Sequence, residues 1–314
     1  MTELSMQGGE FESDEGGDLK LTNPLVSIIV ITYNSSKYVL ETLESAKAQT
    51  YVNIELIVSD DCSTDNTVEI CRKWIGVNSS RFIRAELLTV EKNTGIPANC
   101  NRGVKASRGG WIKLIAGDDI LNEDCLSIYV RMIKQEFNVQ FFTSELEYID
   151  LDSKKVQFNN PYYDKIRSIF FSSNVNKQLK EYVRCPVFIN SPAFFIKREL
   201  LEEIDYFDEQ YVIYEDTSLV FNTLLHKRKI LYIPISTVKY RIDISSISRN
   251  EALIKQRVDE QVAIFKKFRS DNLVLFNPID LSIHYEHWIT YFYKGKWTKY
   301  LRKLSLYYWY IKFS

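Results

Sequence analysis

Leu25-Val-Ser-Ile-Ile-Val-Ile31 runs directly into Thr32, Tyr33 and Asn34. A short, mostly β-branched run with one small polar residue reads as a strand buried on both faces. Outward from it, Val39, Leu40, Leu43 and Ala46 follow helical spacing. Ile54-Glu-Leu-Ile-Val58 reads as a second strand. Ser63 or Thr64 is placed to cap a helix carrying Val68, Cys71 and Ile75. Glu86-Leu-Leu-Thr-Val90 reads as a third strand, and Pro97 suits the first turn of the next helix. Trp111-Ile-Lys-Leu-Ile115 is the fourth. This alternation predicts an α/β fold with a mostly parallel central sheet flanked by helices.

Ligands of such sheets bind beyond the carboxyl ends of the strands. The residues there are polar in every case: Thr32, Tyr33 and Asn34; Asp60 and Asp61; Glu91, Lys92, Asn93 and Gly95; Gly117, Asp118 and Asp119. Helix capping accounts for part of Asp61 and Asp65. It does not account for acidic pairs at two strand ends, because clustered carboxylates repel unless a cation or a donor stands between them.

The chain has 314 residues, 45% hydrophobic and 26% charged, which excludes a wholly disordered chain, a collagen-like fibre and a disulfide-dense mini-protein. Lys and Arg number 40 against 41 Asp and Glu, so charge announces no nucleic-acid partner. With 20 Tyr, 18 Phe and 5 Trp the chain can bury a large core and can also carry an adhesive or membrane-facing surface. Cys62, Cys71, Cys100, Cys125 and Cys185 form no CxxC pair, and no charged-then-apolar leader opens the sequence. Reduced thiols in the cytosol are expected. No uncharged apolar run reaches about 18 residues, so no transmembrane helix is expected.

Residues 1–23 read as a flexible acidic tail, with Glu3, Glu10, Glu12, Asp14, Glu15 and Asp18 against Lys20 alone. Residues 24–121 carry the strand–helix alternation. Residues 122–245 are less regular, with Val187-Phe-Ile189, the turn-rich Asn190-Ser-Pro192, Phe194-Phe-Ile196, an acidic Glu215-Asp216 opening a helical stretch through Leu219, Val220, Leu224 and Leu225, and a strand at Ile230-Leu-Tyr-Ile233. Residues 246–314 read as a helical extension.

Val26-Ser-Ile-Ile-Val-Ile-Thr-Tyr-Asn34, Glu55-Leu-Ile-Val-Ser-Asp-Asp-Cys-Ser-Thr-Asp-Asn-Thr67, Asn93-Thr-Gly-Ile-Pro-Ala-Asn-Cys-Asn-Arg-Gly103 and Gly110-Trp-Ile-Lys-Leu-Ile-Ala-Gly-Asp-Asp119 together resemble the family 2 glycosyltransferases of GT-A, Rossmann-like fold. The resemblance is strong over about the first 125 residues and continues weakly, through Glu215-Asp216 and Tyr240-Arg241, to about residue 250. It implies a cytoplasmic enzyme that transfers a sugar, with inversion, from a nucleoside-diphosphate sugar to a hydroxyl. A UDP-sugar donor and a surface-polysaccharide or lipid-linked oligosaccharide acceptor are the expected substrates. Residues 24–121 then form the nucleotide-sugar-binding half and 122–245 the acceptor-binding half of one GT-A domain.

The resemblance also assigns roles. Tyr33 offers an aromatic face to the base and Asp60 an acceptor for its N–H, with Asp61 beside the same pocket and Thr32, Asn34, Asn93, Asn101 and Gly117 around the nucleotide. Ser59 stands where an apolar residue is more usual. A divalent cation, Mn²⁺ or Mg²⁺, neutralises the diphosphate leaving group. The family's Asp-x-Asp is here Ala116-Gly117-Asp118 followed by Asp119, so its first carboxylate is missing, and Asp118 and Asp119 are the expected metal ligands. Lys113 meets a phosphate, an acidic rim residue or solvent at a sheet edge. Cys100 replaces a usual Arg, and Arg102 is expected to face elsewhere on its helix. Asp216 is the expected general base, with Glu215 holding it or touching the acceptor; first-turn acids favoured by a helix dipole are the bland alternative. Arg241 and Arg249 either contact the diphosphate or are structural, and Asp243 stands where a His is common.

Trp297, Tyr300, Leu301, Leu304 and Tyr308 share a helical face opposite Lys296, Lys299, Arg302 and Lys303. Such a helix rests on the inner face of the plasma membrane, packs on its own domain or forms a homo-oligomer. Two other readings stay open at this point. Nucleotidyl transfer is disfavoured, because Thr32-Tyr-Asn-Ser-Ser36 is not a Gly-rich basic phosphate loop. A non-catalytic binding protein is suggested by the missing first Asp.

Overall fold

The computed structural model describes residues 23–157, 163–172, 174–185, 191–242, 251–274, 276–292 and 298–306. The N-terminal half alternates β1 (Val26–Thr32), α1 (Val39–Lys47), β2 (Ile54–Asp60), α2 (Thr67–Asn78), β3 (Arg84–Leu88), α3 (Ile96–Ala106) and β4 (Trp111–Ala116). A two-residue β5 (Ile120–Leu121), α4 (Cys125–Gln135), the long β6 (Phe141–Ile149), α5 (Tyr163–Phe170) and α6 (Val175–Arg184) follow. Then come β7 (Phe195–Lys197), α7 (Arg198–Glu203), α8 (Glu215–Leu225) and β8 (Ile230–Arg241), and finally α9 (Glu251–Ile264), α10 (Pro278–Phe292) and α11 (Thr298–Arg302).

The strands form one sheet in the order β3-β2-β1-β4-β7-β6-β8-β5. The first four are mutually parallel, as the alternation predicts. β7 runs antiparallel to both β4 and β6, and β5 antiparallel to β8. The third strand lies two residues earlier than expected. The second helix begins at Thr67 rather than after Ser63 or Thr64, because those side chains are turned back onto the strand ends while Asp65 accepts from the Thr67 N–H at 3.0 Å.

β4 and β5 stand four strand positions apart, yet only residues 117–119 join them. Four strand spacings span about 19 Å, whereas the four steps from Ala116 to Ile120 reach at most about 14 Å. A flat sheet cannot satisfy both. The sheet curls until its far edge returns to β4, and α1 closes the seam: Thr42 donates to the Asp119 carbonyl at 2.7 Å and Ser45 Oγ accepts from the Leu121 N–H at 3.0 Å. The expected acidic pair therefore sits where the sheet folds back on itself.

Alternation along the strands supplies two cores. Ile28, Val30, Trp111 and Ile115 face α1, α2 and α4, while Ile29, Ile112 and Leu114 face α3, α6 and α8. Each fully buried aliphatic side chain contributes about 1.5–3 kcal/mol. The C-terminal helices join the second core: Phe268 stacks on Phe221 of α8 with ring centroids 5.1 Å apart, and Arg184 pairs with Asp280 at 2.7 Å. In the amphipathic segment, Tyr300 and Leu304 are exposed and Arg302 pairs with Glu286 at 2.7 Å. Trp297, Tyr308 and Lys296, with Val187-Phe-Ile189, Asp243, Arg249 and residues 1–22, lie outside the described residues.

Candidate active site

The carboxyl ends of β1 and β2 are joined through their side chains. Thr32 Oγ1 donates to Asp60 Oδ2 at 2.7 Å, and Ser63 donates to the same carboxylate through its N–H (2.8 Å) and its hydroxyl (2.5 Å). The turn that brings Ser63 back passes through Cys62 at φ 68. Asn34, also left-handed at φ 50, accepts from the Thr64 N–H at 2.8 Å. Asn tolerates that conformation better than most side chains. Asp60 is fully buried and engaged, so it orients Thr32 and the turn rather than presenting a free acceptor to a base. Tyr33 is the reverse: half its surface is open, and its ring is a face for a planar ligand.

Asp61 is the anchor of the next loop. Its carboxylate accepts from the Thr94 and Gly95 N–H groups at 2.9 and 2.7 Å, from Thr94 Oγ1 at 2.6 Å and from Arg102 at 3.0 Å. Burial alone would raise its pKa; these donors outweigh burial and hold it below the usual carboxylate range. Arg102 thus faces the rim, contrary to the helical-wheel expectation, because its guanidinium reaches back over Asn99 to the end of β2. It supplies a cation on this wall where Cys100, one turn face away, cannot. Arg102→Ala should destabilise the fold by about 1–3 kcal/mol, leaving a buried carboxylate short of donors. The deficit should shrink in thermal unfolding as pH falls through the lowered pKa of Asp61, below which that carboxyl is protonated in folded and unfolded chains alike.

Several expected contacts go elsewhere. Asn101 is buried and holds residues 207–209, donating to the Phe207 carbonyl and Glu209 at 2.9 Å and accepting from the Phe207 N–H. Asn93 caps its own turn through the Gly95 N–H. Lys113 lies in an interior strand with no exposed surface, and its ammonium donates to the carbonyls of Pro192, Leu114 and Phe194. Burial lowers its pKa to about 8. It has no open surface to present to a phosphate or to solvent. Arg241 is a structural hub, donating to the carbonyls of Asp118 and Asp150, to Ser153 and to Glu41, with its plane 4.1 Å from the Tyr38 ring. Gly117 is required by packing: a Cβ there would lie 2.8 Å from Thr32 Cγ2.

At the seam the two acids part. Asp118 is exposed on the rim, and among the described residues no hydrogen bond reaches its carboxylate. The protein mass around it pushes its pKa up. Asp119 is buried; one oxygen accepts from the Arg241 N–H at 2.8 Å, the other has no partner, and burial and then the Asp118 charge raise its pKa well above normal. No group of three or more His, Cys, Asp or Glu side chains is placed to hold a cation among the described residues. One free rim carboxylate beside a diphosphate still fits Mg²⁺ or Mn²⁺, since such ions are commonly held by one or two carboxylates plus substrate phosphates.

Glu215 and Asp216 open α8 and are both nine-tenths buried. Asp216 accepts from the Thr217 N–H at 2.5 Å and Thr217 Oγ1 at 3.2 Å. Burial nevertheless carries its pKa to about 7. Glu215 lines a cavity of about 30 Å³ with Ile31, Cys100, Leu114, Ala116 and Phe207. Two of the positions that depart from the family pattern, Cys100 and Ala116, therefore meet at this carboxyl. Tyr240 joins the two acidic centres: burial, then the charges of Asp119, Asp118 and Asp216, raise its phenol.

A curled, mixed sheet with a parallel nucleotide-side half and an acidic seam is the architecture of the GT-A fold. Residues 27–205 match the model of glycosyl transferase family 2, more than half of the chain, and the chain belongs to that family: it is a glycosyltransferase. It is 28% identical over 260 residues to the succinoglycan biosynthesis protein ExoO of Rhizobium meliloti, covering 78% of this chain and 68% of that protein. Its fold is similar to S. aureus TarS 1-349 in complex with UDP-GlcNAc (TM-score 0.59, 19% identity, 87% of this chain and 74% of that one). It is also similar to the mannosyltransferase PcManGT of Pyrobaculum calidifontis in complex with GDP-Man and Mn²⁺ (TM-score 0.61, 18% identity, 92% and 74%).

Proposed function

We propose that this glycosyltransferase acts with inversion, moving a sugar from a UDP-sugar to a hydroxyl of a surface polysaccharide or lipid-linked oligosaccharide. Asp216 is its general base, and Asp118 is its ligand for a divalent metal. The observation that carries the reading is the opposition of two carboxyls in different environments. Asp216 is buried with a pKa of about 7, and Asp118 is free on the rim where the sheet closes.

A base poised near neutrality is half deprotonated at working pH and takes a proton most effectively there. Asp216 accepts the acceptor's hydroxyl proton as that oxygen attacks the anomeric carbon from the face opposite the leaving diphosphate. The Thr217 donors fix which oxygen remains available for that proton. Tyr33 stacks on the base, and the Asp61–Thr94–Arg102 cluster fixes the wall beside it. A divalent cation held by Asp118 and the donor phosphates would neutralise charge on the departing diphosphate. Gly117 lets that carboxylate come close to the end of β1.

The acceptor class rests on the kinship with a succinoglycan biosynthesis protein. A lipid-linked acceptor places the enzyme at the inner face of the plasma membrane, where Tyr300 and Leu304 are exposed for contact. No helix among the described residues is long and apolar enough to cross a membrane. Calorimetric titration with UDP, GDP and dTDP, with and without Mn²⁺, tests the donor and the metal together. UDP should bind preferentially and only with the metal. A preference for GDP would overturn the donor assignment, and equal binding without metal would overturn the metal role.

A further inference from the structure

Glu260 stands on α9, beyond every motif that carries the family resemblance, and its carboxylate is 7% exposed. It accepts from three successive backbone N–H groups: Val212 at 3.1 Å to Oε1, and Ile213 at 2.9 Å and Tyr214 at 3.1 Å to Oε2. Successive N–H groups converging on one anion form a concave nest, a fixed electrostatic contact rather than a chance pairing. Gln256, one turn earlier, donates to Oε1 at 3.0 Å, and the adjacent Gln261 donates to Tyr214 Oη at 2.6 Å.

The segment so held leads straight into the acid pair. Tyr214 is the N-cap residue of α8 and offers no side-chain cap, so the helix start lacks the usual local lock. Residues 207–211, upstream, are pinned by Asn101 and by the Lys267–Asp208 pair at 2.7 Å. Between those pins and α8, Glu260 is the principal side-chain anchor for the backbone that aims Glu215 and Asp216. The stacked Phe268 and Phe221 rings keep the two helical regions in register.

The geometry points to Glu260 as a positioning residue for the transfer reaction: it clamps residues 212–214 so that Asp216 meets the acceptor hydroxyl. The C-terminal helices are thereby part of the catalytic apparatus rather than an appendage. Glu260 also acts on the pair through its charge: after burial and Asp216, it is among the groups that raise Glu215. Among the described residues, Cys100, Tyr182, Tyr214 and Tyr240 also feel the charges of the pair, Tyr211 and Tyr214 feel that of Glu260, and Arg257 acts on Tyr214. Substitution at 260 removes none of these side chains, but it takes away one of the charges that raise the Tyr211 and Tyr214 phenols.

This inference rests on Asp216 being the base, and the test separates the two. Turnover is read as UDP released from UDP-GlcNAc or UDP-glucose in the full chain with Mn²⁺. Glu260→Gln should lower kcat about 10–100-fold with KM for the donor unchanged, the scale of effect of groups that orient a reacting residue. The acidic limb of its pH profile should move to lower pH, because a negative neighbour of the pair is gone. Glu260→Asp keeps the charge on a shorter stem; it should lose turnover less and keep the wild-type limb. Amide hydrogen exchange at 212–214 should accelerate in Glu260→Gln. A folded Glu260→Gln with wild-type kcat and an unmoved limb overturns the proposal. So does a loss confined to melting temperature. If Glu260→Gln does not fold, Glu260→Asp decides: full turnover with unprotected 212–214 amides overturns it. Asp216→Asn retaining full turnover would instead overturn the base assignment.

Discussion

Asp216→Asn should reduce transfer about 10²–10⁴-fold, the usual contribution of a positioned general base, while UDP affinity stays within about twofold of wild type. The substituted amide keeps the shape of the carboxyl but has no basic oxygen for the acceptor proton. Wild-type kcat/KM should rise about tenfold per pH unit below neutrality and level off above about pH 7, where Asp216 is deprotonated. The same substitution should change stability in a defined direction. Asp216 holds its proton to about pH 7 in the folded chain but only to its ordinary value of 3.8 when unfolded. The folded state therefore binds more protons between those values, and its stability falls as pH rises through them. Asn removes that loss. The variant should be more stable than wild type at pH 8, by about 1–3 kcal/mol in unfolding free energy with a correspondingly higher melting temperature, and show no such advantage at pH 4. A dead enzyme that is also more stable at high pH is the signature of a buried base. A variant equally destabilised at both pH values would mean that the carboxyl serves the fold.

Asp118→Ala should abolish the metal dependence of UDP binding and lower kcat/KM about 10²-fold or more, the range for losing several kcal/mol of charge stabilisation at a leaving group. The rim position predicts little change in melting temperature, since no hydrogen bond to that carboxylate is lost. Asp119→Asn is the internal control. Its carboxyl is turned beneath β8 toward the Arg241 N–H, an amide oxygen accepts that bond equally well, and metal dependence should survive. If Asp119→Asn loses metal binding and Asp118→Ala keeps it, the roles of the two acids are reversed. Isothermal titration of UDP with Mn²⁺ distinguishes the cases without a known acceptor.

The parallel half of the sheet was legible because each of its elements is local. β-branched runs, helical spacing and Pro97 all encode structure within a few residues of themselves. Strand ends followed without contacts, so Tyr33, Asp60, Asp61, Gly117 and Asp118 could be marked from order alone. The antiparallel insertion of β7 and the return of β5 could not. Three and two residues long, they carry no period of their own and exist only as partners of longer strands.

Side-chain destinations were less legible still. Lys113 looks available because a lysine interrupts an apolar strand, but the carbonyls of Pro192 and Phe194, about eighty residues away in sequence, absorb its ammonium together with that of the adjacent Leu114. Arg241 looked like a phosphate ligand, yet its donors are spent on Asp118, Asp150, Ser153 and Glu41. Helical spacing turns Arg102 away from the rim, although its long side chain crosses to Asp61. An Asn three residues earlier, here Asn99, was the available sign that this arginine bends back along the helix.

Residue order by itself determined the family, the nucleotide half of the sheet and which acids stand at strand and helix ends, because motif spacing and hydrophobic period are one-dimensional properties. Tertiary structure decided which of those acids are free. Asp60, Asp61 and Asp119 are drawn into internal bonds, Asp118 is left open, and Asp216 is held at a neutral pKa. Burial and partner supply set a carboxyl's chemistry, and both come from segments distant in sequence: Thr32 for Asp60, Arg102 for Asp61, Arg241 for Asp119 and the Glu260 clamp are each brought in by the fold.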